Sequence, residues 1–295
     1  MTAPNCDNCL RSDFTRRLAK DLLADRRPLN LVGAPGQGRG RLLADLQQID
    51  QGGTRWLCAD LKAHRYSFPG LLKSLWDQTG LPGAQPRTLG ALVERLAAED
   101  RPACLLLHHF DAVLNEPDVG AGFDVGFLDA LNALKNRGIG LLCVTAQAHA
   151  RYVMVTRAGE RRLSTLVLER EDLRPLTQAE IAAELVRCLP TLSDDERALL
   201  GRCVLEHPLP VPFLQFVTRR IEDGDGEGRR LARRLKGWHR EFAEQGRGIG
   251  TADALGLRRT LRVWLGSLGL HGLRGPVGRL IKAIEQWVRG LGKGG

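Results

Sequence analysis

The chain has 295 residues, 43% of them hydrophobic and 26% charged, a composition that excludes a disordered or fibrous class and leaves room for one large α/β domain with a smaller helical one. No run of about 18 apolar residues is present to span a bilayer. The amino terminus, MTAPNCDNCLRSDF, lacks the apolar core of a secretory signal, so the expected address is the cytoplasm. The net charge of +9 is unevenly placed: residues 228–295 hold fifteen Lys/Arg against four Asp/Glu, which leaves the remainder slightly acidic.

Residues 13–25 read as a first helix, with Phe14, Leu18, Leu22 and Leu23 at helical spacing and Ser12 or Asp13 available as a cap. Upstream, Cys6 and Cys9 have the spacing of half a zinc site, but no second Cys/His pair at finger or ribbon spacing comes after them. A terminal coincidence is the plainer reading, with metal or an intersubunit site the alternative. The seven cysteines are an odd number, and Cys58, Cys104 and Cys143 fall in apolar strand-like runs, as suits a reducing compartment.

The stretch Leu29-Asn30-Leu31-Val32 is a strand, and GAPGQGRG leads from it directly into a helix marked by Leu42, Leu43 and Leu46. Against the phosphate-cradling pattern G-x-x-x-x-G-K-[ST], Gly33 and Gly38 match. Arg39 stands where lysine belongs and Gly40 where the hydroxyl belongs. Gly33, Gly36, Gly38 and Gly40 allow a backbone turned onto an anion at the positive end of a helix. The segment resembles the Walker A loop of AAA+ and STAND-type P-loop ATPases. The resemblance implies a nucleotide-binding loop formed by Gly33, Ala34, Pro35, Gly36, Gln37, Gly38, Arg39, Gly40 and Arg41. ATP or ADP is the implied ligand, at low affinity. Arg39 keeps a charge but as a rigid fork, while Gly40 offers magnesium no side-chain ligand, which counts against Mg. By the same resemblance, Phe14-Thr15-Arg16-Arg17 would lie near the adenine, although a plain packing helix accounts for it as well.

A second strand is expected at residues 55–59, closing a βαβ unit with the first, and helices at 68–79 and 88–99 are separated by a Pro/Gly loop. Residues 102–111 contain a continuous apolar run of the kind buried on both faces of a parallel sheet. It resembles the Walker B strand, whose acidic pair would fall on His108 and His109, with Phe110 and Asp111 matching the aromatic and acidic residues that often come after that pair. Imidazoles are poor ligands for magnesium. Because neighbouring strand residues point to opposite faces, the two histidines are also read as poor joint ligands for a softer metal, so no metal site is expected. Asp111 is the candidate substitute acid.

A helix around Phe123, Phe127, Leu128, Leu131 and Leu134 precedes a strand at 141–144 that ends at Thr145, which the resemblance makes a γ-phosphate sensor. Residues 166–168 are read as the last sheet strand, before Leu173-Arg174-Pro175-Leu176-Thr177 steps into a three-helix lid at 178–188, 193–206 and 211–221. Thr177 with Glu180, and Ser193 with Glu196, have capping-box spacing. His207 and Pro208 match part of a Gly-His-Pro sequence that relatives place on the nucleotide wall. Arg157, Arg161 and Arg162 are candidates for an intersubunit arginine finger.

The expected architecture is an α/β P-loop NTPase-like parallel sheet flanked by helices over residues 1–175, a helical lid over 176–222, a linker at 223–228 and a basic all-α module over 229–295. In that last module, apolar stripes run beside Arg229, Arg230, Arg233, Arg234 and Lys236, then Arg258, Arg259 and Arg262, then Arg279, Lys282 and Arg289. These basic groups are candidates for nucleic acid or another anionic surface, with a solvated face the plainer alternative. The functional expectation is a pseudo-ATPase scaffold or regulatory subunit working in a homo-oligomer or beside a protein partner such as an active relative. The alternatives are a slow ATPase using Arg39 and Asp111, completed by a partner, and an adaptor for nucleic acid or, secondarily, an anionic membrane surface.

Overall fold

The computed structural model describes residues 6, 8–49, 53–156, 158–224 and 231–246. In chain order the elements are α1 (Ser12–Leu23), β1 (Pro28–Val32), α2 (Arg39–Gln48), β2 (Arg55–Asp60), α3 (Leu61–His64), α4 (Phe68–Thr79) and α5 (Leu89–Ala97). They continue with β3 (Ala103–His108), a 3₁₀ turn (Phe110–Val113), α6 (Val125–Ala133), β4 (Gly140–Thr145), β5 (Val153–Val155), β6 (Arg161–Leu163) and β7 (Glu169–Asp172). Four helices complete the order: α7 (Gln178–Cys188), α8 (Asp194–Leu205), α9 (Pro210–Glu222) and α10 (Leu231–Gly246).

Five strands form a parallel sheet in the order β2-β3-β4-β1-β7. Strand alternation divides its side chains cleanly between two layers. Leu57, Ala59, Leu105, Leu107, Leu141 and Cys143 pack on one face with Leu72, Leu75, Leu92, Val93, Leu128 and Leu131 of α4, α5 and α6. Leu29, Leu31, Trp56, Cys104, Leu106, Leu142 and Val144 pack on the other with Leu18, Leu22, Leu42 and Leu46 of α1 and α2. Burial on both faces is why β3 and β4 read as unbroken apolar runs.

The structure corrects two sequence expectations. The strands flanking α2 are parallel members of one sheet but not neighbours: β1 lies between β4 and β7, and β2 lies beyond β3 at the far edge. Residues 166–168 are not the last strand. That strand is β7, an edge strand of sequence ERED, whose charges are neutralised by neighbours rather than buried: Glu171 pairs with Arg17 at 2.7 Å, and Glu169 pairs with Arg27. Its apolar neighbour Leu166 joins the core without strand geometry.

The helices α7–α9 form their own core of Ile181, Leu185, Leu200, Val204, Phe213, Leu214 and Val217, and α10 adds Leu231, Leu235 and Trp238 to it. Both expected capping boxes are present, Thr177 with Glu180 and Ser193 with Glu196. Between this unit and the sheet runs a buried ionic tie. Arg41 on α2 donates through Nε to Asp45 Oδ1 at 2.6 Å, through Nη1 to Glu184 Oε1 of α7 at 3.1 Å, and through Nη2 to the Asn8 carbonyl at 3.1 Å. The Leu10 N–H donates to Asp45 Oδ2 at 3.0 Å, so the amino-terminal segment belongs to the same tie. Among the described residues, no helix is long and apolar enough to cross a membrane.

Candidate nucleotide loop and the end of the third strand

The loop from Gly33 to Gly38 leaves the carboxyl end of β1 in the middle of the sheet, and its first residue is tied to the neighbouring strand by a Gly33 N–H bond to the Thr145 carbonyl at 3.1 Å. Gly36 and Gly38 have φ of +81° and +83°, and Gly38 is the amino-terminal cap of α2 with no side chain to satisfy the first-turn N–H groups. Glycine is needed for a second reason, because the start of α9 lies directly against the loop. The Val211 N–H donates to the Gly36 carbonyl at 3.1 Å. A Cβ at Gly36 would stand 2.6 Å from the Leu209 Cα, and one at Gly38 would stand 2.7 Å from the Val211 Cγ2. The role of Leu209 and Val211 as a cover over the loop is not legible in the sequence, since neither carries a motif.

Within the loop, Arg39 is half-buried and lies over Gly33, where a Cβ would meet its Cγ at 3.2 Å. Its Nη1 is buried with no hydrogen-bond partner among the described residues. Burial lowers its guanidinium pKa, only partly opposed by the nearby Asp111 carboxylate. Gln37 likewise has a buried, unpartnered Oε1. Gly40 faces the end of β3, and a Cβ there would be in ordinary contact with His108 Cε1 at 3.7 Å. Arg41 differs from its neighbours in being committed to the α2–α7 tie. Burial pulls its guanidinium down, but the hydrogen bonds and charges of Asp45 and Glu184 outweigh this and leave it raised. At Asp45 the balance is opposite: burial outweighs the pairing with Arg41 and raises the carboxyl.

The end of β3 departs from the sequence expectation. The strand stops at His108, and His109 takes a left-handed conformation with φ of +51° and ψ of +47°. The alternation that would send the two imidazoles to opposite faces therefore ends one residue too early, and the rings stack with centroids 3.7 Å apart. On the neighbouring strand, Asp60 is the register partner of His108, and its Oδ1 lies 2.8 Å from His109 Nδ1. Burial pushes the Asp60 carboxyl up, but the hydrogen bond and charge of His109 outweigh it and hold the group below its ordinary range. His108 is pushed down to about 4, first by burial and then by His109. Asp60 was missed from the sequence, where its one signal is an acidic residue at a strand's carboxyl end.

Asp111 lies in the 3₁₀ turn and accepts a hydrogen bond from the Ala146 N–H at 3.0 Å, fixing the turn after β4. Thr145 is fully buried, its Oγ1 3.0 Å from Asn30 Oδ1 and 2.8 Å from the Gln147 carbonyl. His207 stacks on Phe213 at 4.4 Å between centroids and accepts the Leu209 N–H at Nδ1, so it organises the entry to α9 from within the helical core. Cys9 donates its N–H to the Cys6 carbonyl at 3.0 Å. Among the described residues, the one gathering of three metal-ligating side chains is Asp60, His108 and His109, which lies apart from Cys6 and Cys9.

Of the basic candidates, Arg233 and Lys236 are exposed on α10, and the Arg234 guanidinium lies 5.3 Å from the Trp238 ring centroid. Arg161 donates to Asn115 Oδ1 and Arg162 to Glu160, both on or beside the β5–β6 hairpin. Arg157, Arg229, Arg230, Arg258, Arg259, Arg262, Arg279, Lys282 and Arg289 lie outside the described residues.

No protein-family model matches the chain, and no curated protein matches it. Among solved structures, it is similar to Cdc6p from Pyrobaculum aerophilum, at 18% identity and a TM-score of 0.45, over 72% of this chain and 62% of that one. It is similar to AMPPCP-bound DnaA from Aquifex aeolicus, at 13% identity and 0.45, over 72% and 60% of the two chains. Drosophila ORC bound to DNA is matched at 15% identity and 0.43, over 72% and 56%. The chain thus spans roughly three-fifths of the length of the solved structures it matches.

Proposed function

We propose that the chain is a degenerate P-loop protein of the AAA+/STAND kind, a pseudo-ATPase that holds a phosphate-bearing nucleotide weakly and acts as a scaffold or regulatory subunit. The observation that carries this reading is the juxtaposition of Gly40 with His108 across the loop. Where a P-loop ATPase presents a hydroxyl and a carboxylate to magnesium, this pair presents a hydrogen atom and an imidazole. The anion side of the site is kept: an uncapped α2 amino terminus and a buried guanidinium with an unpartnered Nη1 both suit a phosphate oxygen. The magnesium side fits poorly, since imidazoles stand at the positions of the acidic pair and Gly40 offers no hydroxyl, while Asp111 is held through Oδ2 by the Ala146 N–H.

In this reading Arg39 and the first-turn N–H groups of α2 hold phosphate, and Leu209 and Val211 close over the loop. No carboxylate stands at the two positions where such an ATPase carries its acidic pair. Positioning and charge supply most of the rate in phosphoryl transfer, so losing the metal ligands and the acidic pair together removes catalysis while leaving binding. Replacing Arg39 with Ala should reduce nucleotide affinity by about tenfold, the loss of one charge-assisted contact, without moving the unfolding midpoint. Magnesium-dependent hydrolysis that the same replacement abolishes would contradict the proposal and favour a slow ATPase.

A second reading concerns partners. The exposed Arg233, Lys236 and Arg240 of α10 stand opposite its buried Leu231, Leu235 and Trp238, and the carboxyl-terminal quarter carries the chain's net positive charge. We propose that this end meets an anionic partner, nucleic acid first. Binding to DNA or RNA that weakens steeply with salt in the full chain, and is lost when exposed Arg233, Lys236 and Arg240 are replaced by Glu, supports it. Salt-insensitive binding, or none, contradicts it.

A further inference from the structure

The end of β3 carries chemistry that the nucleotide reading leaves unused. Three side chains with nitrogen or oxygen donors converge there, and the donor atoms of Asp60, His108 and His109 all lie within 4.8 Å of one another. Two independent observations set this group apart from a chance surface cluster. First, His109 is one of only three non-glycine residues with positive φ among the described residues, and that conformation is what turns its ring alongside His108. A left-handed backbone at such a residue is strained and persists where its surroundings require it. Second, the Nε2 of His108 is buried with no hydrogen-bond partner among the described residues, and a buried polar atom of that kind calls for an unseen water or ion.

Access and charge agree with a cation. The side chains of His109 and Asp60 are 28% and 44% exposed, so the cluster opens to solvent while His108 closes its inner side. Two carboxylates, Asp60 and Asp111, and one guanidinium, Arg39, act on His108, so acidic groups are at hand for a cation. Asp60 already serves as the amino-terminal cap of α3 by accepting the Lys62 N–H at 2.9 Å, so its carboxylate is held in place before any ion arrives.

The geometry points to a binding site for a borderline divalent transition ion, of the zinc or cobalt class, formed by the imidazoles of His108 and His109 and the carboxylate of Asp60, with its remaining positions open to water. Two imidazoles and one carboxylate suit zinc, cobalt, nickel or copper far better than magnesium, which prefers an all-oxygen shell. The site adjoins the glycine loop through the Gly40–His108 contact, yet it does not depend on nucleotide being bound there.

The test uses the full chain after treatment with chelator, without nucleotide, titrated with Co²⁺ by calorimetry and visible absorption and with Mg²⁺ as comparison. The expected result is one equivalent of Co²⁺, with ligand-field bands that lack thiolate charge transfer, and no heat with Mg²⁺. His109→Gln and His108→Gln should each weaken binding by more than about tenfold, a loss that even outer-shell changes produce at metal sites. Asp60→Asn retains a capping oxygen and so should fold while weakening Co²⁺ likewise. If His108→Gln lowers the melting midpoint sharply, the partly exposed His109→Gln and Asp60→Asn decide the matter. Cys6→Ser/Cys9→Ser should bind Co²⁺ like the parent chain. Absence of binding, binding that survives in His109→Gln and Asp60→Asn, or binding lost in the cysteine variant would each overturn the assignment.

Discussion

Replacing Arg41 with Ala isolates the ionic part of the contact between the sheet and the helices α7–α9. Its guanidinium reaches Asp45 at 2.6 Å and Glu184 at 3.1 Å, and those two carboxylate side chains are 3% and 7% exposed. Breaking a buried pair by removing one partner costs about 3–5 kcal/mol, because the remaining charge is left in a poorly solvated place. Two features reduce that figure: the Arg41 side chain is itself 20% exposed, and Glu184 keeps Arg187 at 2.6 Å. The expected loss is about 2–4 kcal/mol, or about 3–7 °C in melting midpoint at this chain length. The loss should also depend on pH. Without Arg41 the buried Asp45 carboxyl rises further above its unfolded value of 3.8, so the folded state binds more protons than the unfolded. The penalty is absent well below the unfolded value and complete above the folded one. Urea denaturation followed by circular dichroism should therefore show the deficit largest near neutrality and shrinking toward pH 4. A change below about 0.5 kcal/mol, or a deficit independent of pH, would refute the ionic-tie reasoning.

Three other changes probe the loop and its cover. Gly38→Ala forces a side chain into φ of +83° and to 2.7 Å from Val211 Cγ2, and should cost about 1–3 kcal/mol by denaturant titration; adding Val211→Ala should recover part of it. His207 is buried and pushed down to about 3, chiefly by burial. Its neutral form is favoured on folding, so its contribution is present above the unfolded value of 6.5 and is lost as pH falls below it toward 3; about 1–2 kcal/mol should disappear between pH 7 and 5, and less in His207→Phe. Arg39→Ala should lower anion affinity at unchanged stability, whereas Arg41→Ala should lower stability and, in the fraction that remains folded, leave anion affinity intact.

Those contrasting outcomes at two arginines separated only by Gly40 show where sequence reading stops. The loop, the apolar strands and the helix starts are local facts: α4 and α7 begin and end where spacing and caps place them, and Thr177 and Ser193 cap as their Glu partners imply. Arg41 looks like part of the loop by position, but its partner Glu184 is 143 residues away, and no local pattern reveals that pairing. β7 went unseen because an edge strand can satisfy charges with arginines from α1 and from the turn after α1, leaving no apolar signal. Asp60 reaches His109 through the β2–β3 register, and the His109 backbone turn that permits it breaks the alternation on which the strand reading rested. The helical core absorbs Trp238 from α10 because a buried stripe on a basic helix is compatible with either a separate module or a fourth packed helix.

The central claim is that this loop holds phosphate without a magnesium site or turnover. Calorimetric titration of the full chain with ATP and ADP, with and without Mg²⁺, paired with a phosphate-release assay on the same sample, tests it most directly. Weak binding that Mg²⁺ does not change, with no phosphate released, is the predicted result. Tight Mg²⁺-dependent binding with turnover would contradict it.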